Sequence, residues 1–226
     1  MDEQLTRRAR MHAALGEPAR LAIVDRLLPG DASPGELGAA LGLPTNLLAH
    51  HLRVLQDAGV IGRVQSEGDR RRTYVQLRLD DPLVQALARP IDPASRVPLP
   101  TGPRVVFVCT HNSARSQLAA ASWARVSEIP VACAGTHPAP RVHPGAVAAG
   151  RRHGLRLGRA RTAHIDEVVQ PADLVVAVCD SAHEELDPAR PRLHWSIPDP
   201  VRVGTDAAFD AACDEIDRRV RTLAAD

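Results

Sequence analysis

Five prolines fall within the fifteen residues from Arg89 to Pro103, RPIDPASRVPLPTGP. Proline fixes φ and removes a backbone donor, so such a run neither continues a helix nor joins the interior of a sheet. It is expected to be an extended, semi-rigid linker. No single hydrophobic core can then run through the middle of the 226-residue chain, and two compact domains, 1–88 and 104–226, are expected on either side. With 44% hydrophobic and 24% charged residues, the composition is that of an ordinary soluble protein. The chain begins with charged and polar residues and has no run of eighteen apolar ones, so neither a signal peptide nor a spanning helix is expected and the location should be cytoplasmic. A net charge of +1 says little about partners, because the distribution of charge matters more than its sum.

Before the linker, residues 3–15 and 18–28 show the spacing of two amphipathic helices separated by Gly16, the second opened by Pro18. Ser33-Pro34-Gly35-Glu36 supplies an N-cap hydroxyl, a proline at N1 and a glutamate at N3, predicting a third helix that ends at Gly42. A fourth is predicted from Thr45 to Ala58, stopped by Gly59. Two short helices joined by so tight a turn make a helix-turn-helix. Val60 to Leu79 then reads as a hairpin around Ser66-Glu67-Gly68-Asp69, with Arg70, Arg71 and Arg72 opening its second strand. A recognition helix followed by a cationic hairpin suits double-stranded DNA, the helix entering the major groove and the arginines neutralising phosphates. The alternative is a protein-binding winged helix whose arginines are only a solvated face.

The segments LGEPARLAIVDRLL and LLAHHLRVLQDAGVI resemble the ArsR family of winged-helix repressors over about residues 5–88. The resemblance implies an operator-binding homodimer in which Thr45, Asn46, His50, His51 and Arg53 face the groove or backbone, and Arg70 to Arg72 the flanking phosphates. Leu47 and Ala49 depart from the small hydroxyl residues common there. Relatives that sense metalloids through the third helix carry a cysteine pair in it, whereas this stretch reads Glu36-Leu37-Gly38-Ala39-Ala40, so no soft-ligand site is expected.

After the linker, Val-rich runs alternate with helical stretches, the βαβ signature of an α/β domain with a parallel sheet. Arg104-Val105-Val106-Phe107-Val108 reads as a buried strand leading into Cys109-Thr110-His111-Asn112-Ser113-Ala114-Arg115-Ser116 and then a helix. A loop of consecutive N–H groups at a helix N-terminus forms an anion nest, and a thiolate at its foot sits at the positive end of the peptide dipoles. Arg115, in a C-x5-R spacing, can turn back to grip two oxygens of a tetrahedral oxyanion. The alternative for Cys109 is a buried, inert thiol.

This strand, loop and helix, with Ala134-Gly135-Thr136, Asp173 to Cys179 and His194-Trp195-Ser196-Ile197-Pro198-Asp199-Pro200, resemble the low-molecular-weight protein tyrosine phosphatases and the arsenate reductases built on their fold. The resemblance implies a four-stranded parallel sheet. It makes Cys109 the nucleophile, residues Thr110 to Arg115 the oxyanion cradle, Ser116 a hydroxyl holding the thiolate, Asn112 the residue that fixes the loop, and Asp199 the general acid. His111, inside the loop, either tunes the thiolate or faces solvent.

Phosphotyrosine phosphatases of this kind carry aromatic residues after the Asp-Pro, where this chain has Val201, Arg202 and Val203, so the balance leans toward arsenate reduction. Cys179 stands where thioredoxin-coupled reductases keep a resolving cysteine, but the position of the third relay cysteine is Leu186. Cys179 is therefore a resolving thiol, a core residue at a strand end, or a remnant of ancestry. An incomplete relay implies an external thiol reductant, mycothiol or thioredoxin, with no bound cofactor. Cys133 and Cys213 read as packing residues, and the histidines lack metal-ligand spacing, so no metal is expected. The rival functions are phosphatase action on phosphotyrosine or phosphoarginine, and an oxyanion sensor without turnover that controls DNA binding.

Overall fold

A computed structural model describes residues 2–88, 102–157 and 160–224, and the chain divides into two compact units, one mainly N-terminal and the other mainly C-terminal. The predicted linker lies outside the described residues up to position 101.

The N-terminal unit runs α1 (Glu3–Leu15), α2 (Pro18–Leu27), α3 (Pro34–Leu41), α4 (Thr45–Asp57), β1 (Ile61–Gln65), β2 (Thr73–Leu77) and α5 (Pro82–Ala88). Its boundaries follow local chemistry. Pro18 sits in the first turn of α2. The Ser33–Glu36 pair closes a capping box on α3, with Glu36 N–H donating to Ser33 Oγ at 3.3 Å and Ser33 N–H to the Glu36 carboxylate at 2.7 Å. Gly42, at φ +63°, ends α3 in the left-handed region, which costs a residue without Cβ little. β1 and β2 pair antiparallel, Val64 opposite Tyr74, and Ala32 bridges to Val75. Arg70, Arg71 and Arg72 lie in the turn before β2 rather than at the start of that strand, and all three are exposed. The core gathers Met11, Ile23, Leu27, Leu37, Leu48, Leu52, Leu55, Ile61 and Val75.

The C-terminal unit is α/β: β3 (Val105–Cys109), α6 (Arg115–Val126), β4 (Val131–Gly135), α7 (Pro144–Arg152), α8 (Ile165–Val168), β5 (Leu174–Ala177), α9 (Asp180–Glu185), β6 (Arg192–His194), α10 (Pro200–Val203) and α11 (Asp206–Ala224). The sheet is four-stranded and parallel, in the order β4-β3-β5-β6. β3 is buried along its whole length, as a strand covered on both faces must be, and this explains its unbroken apolar run. Phe107 at its centre meets Trp123 of α6 and Trp195 after β6, with ring centroids 6.1 and 5.6 Å apart. The chain leaves β3 toward β4 on one side, and the next strand, β5, lies on the other. The crevice beyond the carboxyl ends of β3 and β5 is thus a topological switch point, the usual ligand site of open α/β sheets. Cys109 closes β3, and Cys179 follows β5 by two residues.

Candidate active site

The loop from Cys109 to Arg115 joins a buried strand to a twelve-residue helix, and its shape is set by side chains inside it. Cys109 Sγ is 3% exposed at the residue level and receives the Asn112 N–H at 3.2 Å, with Ser116 Oγ at 3.1 Å. Asn112 Nδ2 donates to the same Ser116 oxygen at 2.9 Å. Asn112 itself adopts φ +49°, the left-handed conformation that asparagine tolerates better than most residues. Its Oδ1 accepts from Ala163 N–H at 2.9 Å and from Gln117 Nε2 at 3.2 Å, so the carboxamide ties the loop to the segment before α8 and to α6.

Gly135, at the end of β4, permits this loop to exist. A Cβ there would lie 2.7 Å from Thr110 O and 2.9 Å from Asn112 N, far inside contact distance.

Arg115 starts α6 and is buried, with Nη1 donating to Ile197 O at 2.9 Å and Nη2 3.1 Å from Asp199 Oδ2. Burial works against its charge, but the neighbouring Cys179 and Cys109 sulfurs and the Asp199 carboxylate outweigh it, so its pKa lies above the ordinary arginine value. Asp199 caps α10 through Oδ1, which accepts from Val201 N–H at 3.0 Å, leaving Oδ2 toward the arginine. Cys179 is the N-cap residue of α9, 1% exposed, with Sγ 3.5 Å from Thr110 Oγ1. Burial and the neighbouring Cys109 push its thiol pKa up, while Arg115 draws it down by less. β5 stops at Ala177, which puts this thiol at the head of a helix instead of in the sheet.

The loop thus gathers Cys109, Asn112, Arg115, Ser116, Asp199 and Cys179. Ala114 is buried as the N-cap of α6, Thr110 and Ser113 are half-buried, and His111 is exposed, facing solvent. Cys133, half-buried on β4, is pushed up to about 11, and Cys213, inside α11, to about 12, in both cases mainly by burial, which suits packing residues. All four cysteines are free. Gln117 was given no role by the sequence: its Nε2 also donates to Asn112 O at 3.0 Å and to Arg161 O at 2.8 Å, bracing the loop from behind. Its place directly after the loop serine was the only signal.

In the N-terminal unit, Thr45, Asn46, His50 and Arg53 lie exposed on one side of α4. His51 does not join them. Leu48, His51, Leu52 and Leu55 recur at the spacing of a buried stripe, so His51 falls on the core side, with Nδ1 3.6 Å from the Glu17 carboxylate. Its expected place facing DNA is corrected accordingly.

A family model described as low molecular weight phosphotyrosine protein phosphatase matches residues 104–226, more than half of the chain. The chain belongs to this family. Its family domain is 38% identical over 133 residues to an arsenate reductase of Halalkalibacterium halodurans, covering 53% of this chain and 94% of that one. An arsenate reductase of Bacillus subtilis is 35% identical over 132 residues, covering 53% and 94%. The crystal structure of the tyrosine phosphatase Wzb from Escherichia coli K30, in complex with sulphate, superposes with a TM-score of 0.51 at 20% identity, over 55% of this chain and 98% of that one, and supports the fold. A second model, a helix-turn-helix domain, matches residues 15–64. The chain is therefore a fusion of a helix-turn-helix unit with an enzyme of the low-molecular-weight phosphatase fold. Among the described residues no helix is long and apolar enough to cross a membrane.

Proposed function

We propose that the chain is a DNA-binding regulator of the ArsR type, homodimeric and cytoplasmic, fused to a cysteine-dependent arsenate reductase. The observation that carries the reductase reading is the second buried thiol beside the nucleophile loop, Cys179 Sγ at 3.5 Å from Thr110 Oγ1. A phosphatase has no use for a resolving thiol there.

Arsenate would lie in the nest of N–H groups from Thr110 to Arg115, with the guanidinium of Arg115 across two oxygens. Cys109 attacks arsenic, an As–O bond breaks, and Asp199 protonates the departing oxygen. Cys179 then attacks Cys109 Sγ. The S–As bond breaks with its electron pair left on arsenic, which leaves as arsenite, and the two thiols end as a disulfide. An external thiol, mycothiol or thioredoxin, returns that disulfide to two thiols. Leu186, at the third relay position, gives the chain no thiol of its own for this step.

Phosphatase activity is the second reading, favoured by Asp199, whose carboxylate stands next to the oxyanion-gripping Arg115. Turnover of the purified protein on arsenate, with mycothiol or thioredoxin systems, and on p-nitrophenyl phosphate tests both. Cys109→Ser should abolish both activities. Cys179→Ser should remove arsenite production and spare ester hydrolysis. Arsenite production unchanged in Cys179→Ser would assign reduction to direct attack by the external thiol, and ester hydrolysis without arsenite in the wild type would move the assignment to phosphatase.

A further inference from the structure

β6 sends Arg192 and His194, two residues apart and so on the same face of the strand, onto α9. His194 Nε2 lies 3.0 Å from Asp180 Oδ1, and the two side chains are only 2% and 3% exposed. The His194 ring also stacks on His183 of α9, centroids 4.0 Å apart and planes 16° from parallel. Arg192 Nε donates to His183 Nδ1 at 3.1 Å, Nη2 to His183 O at 2.7 Å, and Nη1 to Asp187 O at 2.9 Å. α9 is therefore held at its first residue by His194 and at its last turn by Arg192.

A helix of six residues has too few internal hydrogen bonds to hold its own shape, so α9 depends on contacts from outside it, to which β6 contributes this set beside the Glu67 and Asp69 N–H groups on Asp180 and Glu184. Cys179 is its N-cap, bonded through the chain to Asp180, and the place of Cys179 Sγ depends on where Asp180 is held. Burial opposes ionisation of Asp180, but hydrogen bonds from His194, the Glu67 N–H and Ser196 prevail and keep its carboxyl below the usual range, so a fully hydrogen-bonded carboxylate anchors the residue next to the thiol. None of the four clamp residues lies in the Cys109 loop.

We propose that Asp180, His183, Arg192 and His194 form a positioning clamp that holds Cys179 in line for attack on Cys109. The proposal rests on the reductase reading and concerns its second step alone. There Cys179 Sγ bonds to Cys109 Sγ, the S–As bond breaks, arsenic takes up the electron pair, and the Cys179 proton passes to the departing arsenite oxygens. A displaced thiol slows that step and leaves the first attack untouched.

The test uses the full chain as wild type, His194→Phe, which keeps a ring against His183 without a donor for Asp180, Asp180→Asn, and His194→Gln, which keeps a donor. Four quantities are read: the rate of Cys109–Cys179 disulfide formation under diamide, by mass spectrometry; kcat and KM for arsenate; and the rate of Cys109 alkylation by iodoacetamide. His194→Phe and Asp180→Asn should slow disulfide formation and lower arsenate kcat by roughly ten- to hundredfold, the scale expected of a reacting group displaced by about 1 Å. KM and Cys109 alkylation should stay within about twofold, and His194→Gln should recover most of the loss. An unchanged disulfide rate overturns the clamp, and so does a parallel fall in disulfide rate, kcat and alkylation rate in every variant, which marks a purely structural role. Clamp-dependent disulfide formation in a protein that makes no arsenite would uphold the clamp and sink the reductase reading.

Discussion

Asn112 makes four hydrogen bonds through its N–H and side chain: its N–H to Cys109 Sγ, its Nδ2 to Ser116, and its Oδ1 from Ala163 and Gln117. Asn112→Ala keeps only the first. It leaves the half-buried Ala163 N–H without its acceptor and Ser116 Oγ without the Nδ2 donor, while Gln117 keeps the Asn112 and Arg161 carbonyls, and it puts a Cβ residue without local polar compensation at φ +49°. A loss of about 1–3 kcal/mol is expected from the unmade hydrogen bonds, read as a lower denaturant midpoint, together with loss of turnover. The loop residues were legible in the sequence because they are contiguous, so that strand, thiol, arginine and helix stand in the order of their function. Gln117 and the Asp180–His194 pair were not. Fourteen residues separate the latter two, and only the parallel docking of β6 beside β5 brings them together.

Among the elements, β3 and β5 are locked at their starts by one fork. Arg104 Nε and Nη2 reach the two Asp173 oxygens at 3.0 and 2.6 Å, and Leu174 N–H donates to Arg104 O. The guanidinium holds the Asp173 carboxyl below the usual carboxylate range. A carboxyl with a lower pKa folded than unfolded stabilises the fold above its unfolded value of about 3.9, and that share disappears as pH falls through the lowered folded value. Arg104→Ala should therefore reduce stability at about pH 7 and much less below about pH 3, a contrast that urea titrations at the two pH values would reveal. An equal loss at both would mean that the fork acts through packing alone. Helix boundaries were readable wherever a cap was written locally, as at Ser33 and Gly42. The resemblance by position places His51 facing DNA, whereas the leucines around it trace a buried stripe that the residue joins.

At the scale of the whole molecule, the chain forms two compact units, and each carries its own core. Two modules predict separable losses. Replacing Arg70, Arg71 and Arg72 with alanine should weaken DNA binding and flatten its dependence on salt by up to about 0.9 in logarithmic slope for each phosphate contact removed. An unchanged slope would take the hairpin off the backbone. Cys109→Ser should leave DNA affinity unaltered.

The Cys109 loop is braced from three sides, through Ser116, Gln117 and Ala163. A rigid cradle of N–H groups measures tetrahedral shape and negative charge, and arsenate and phosphate offer nearly the same of both. Under the proposed chemistry the two ions therefore compete for one seat on almost equal terms, and admission cannot be where the choice is made. Sorting falls to what happens next: a phosphorus centre keeps its oxidation state and can only be handed to water, whereas arsenic accepts an electron pair when Cys179 closes on Cys109. The enzyme would discriminate by the fate of its adduct, and its output in a cell would follow the ratio of the two ions rather than the amount of arsenate alone.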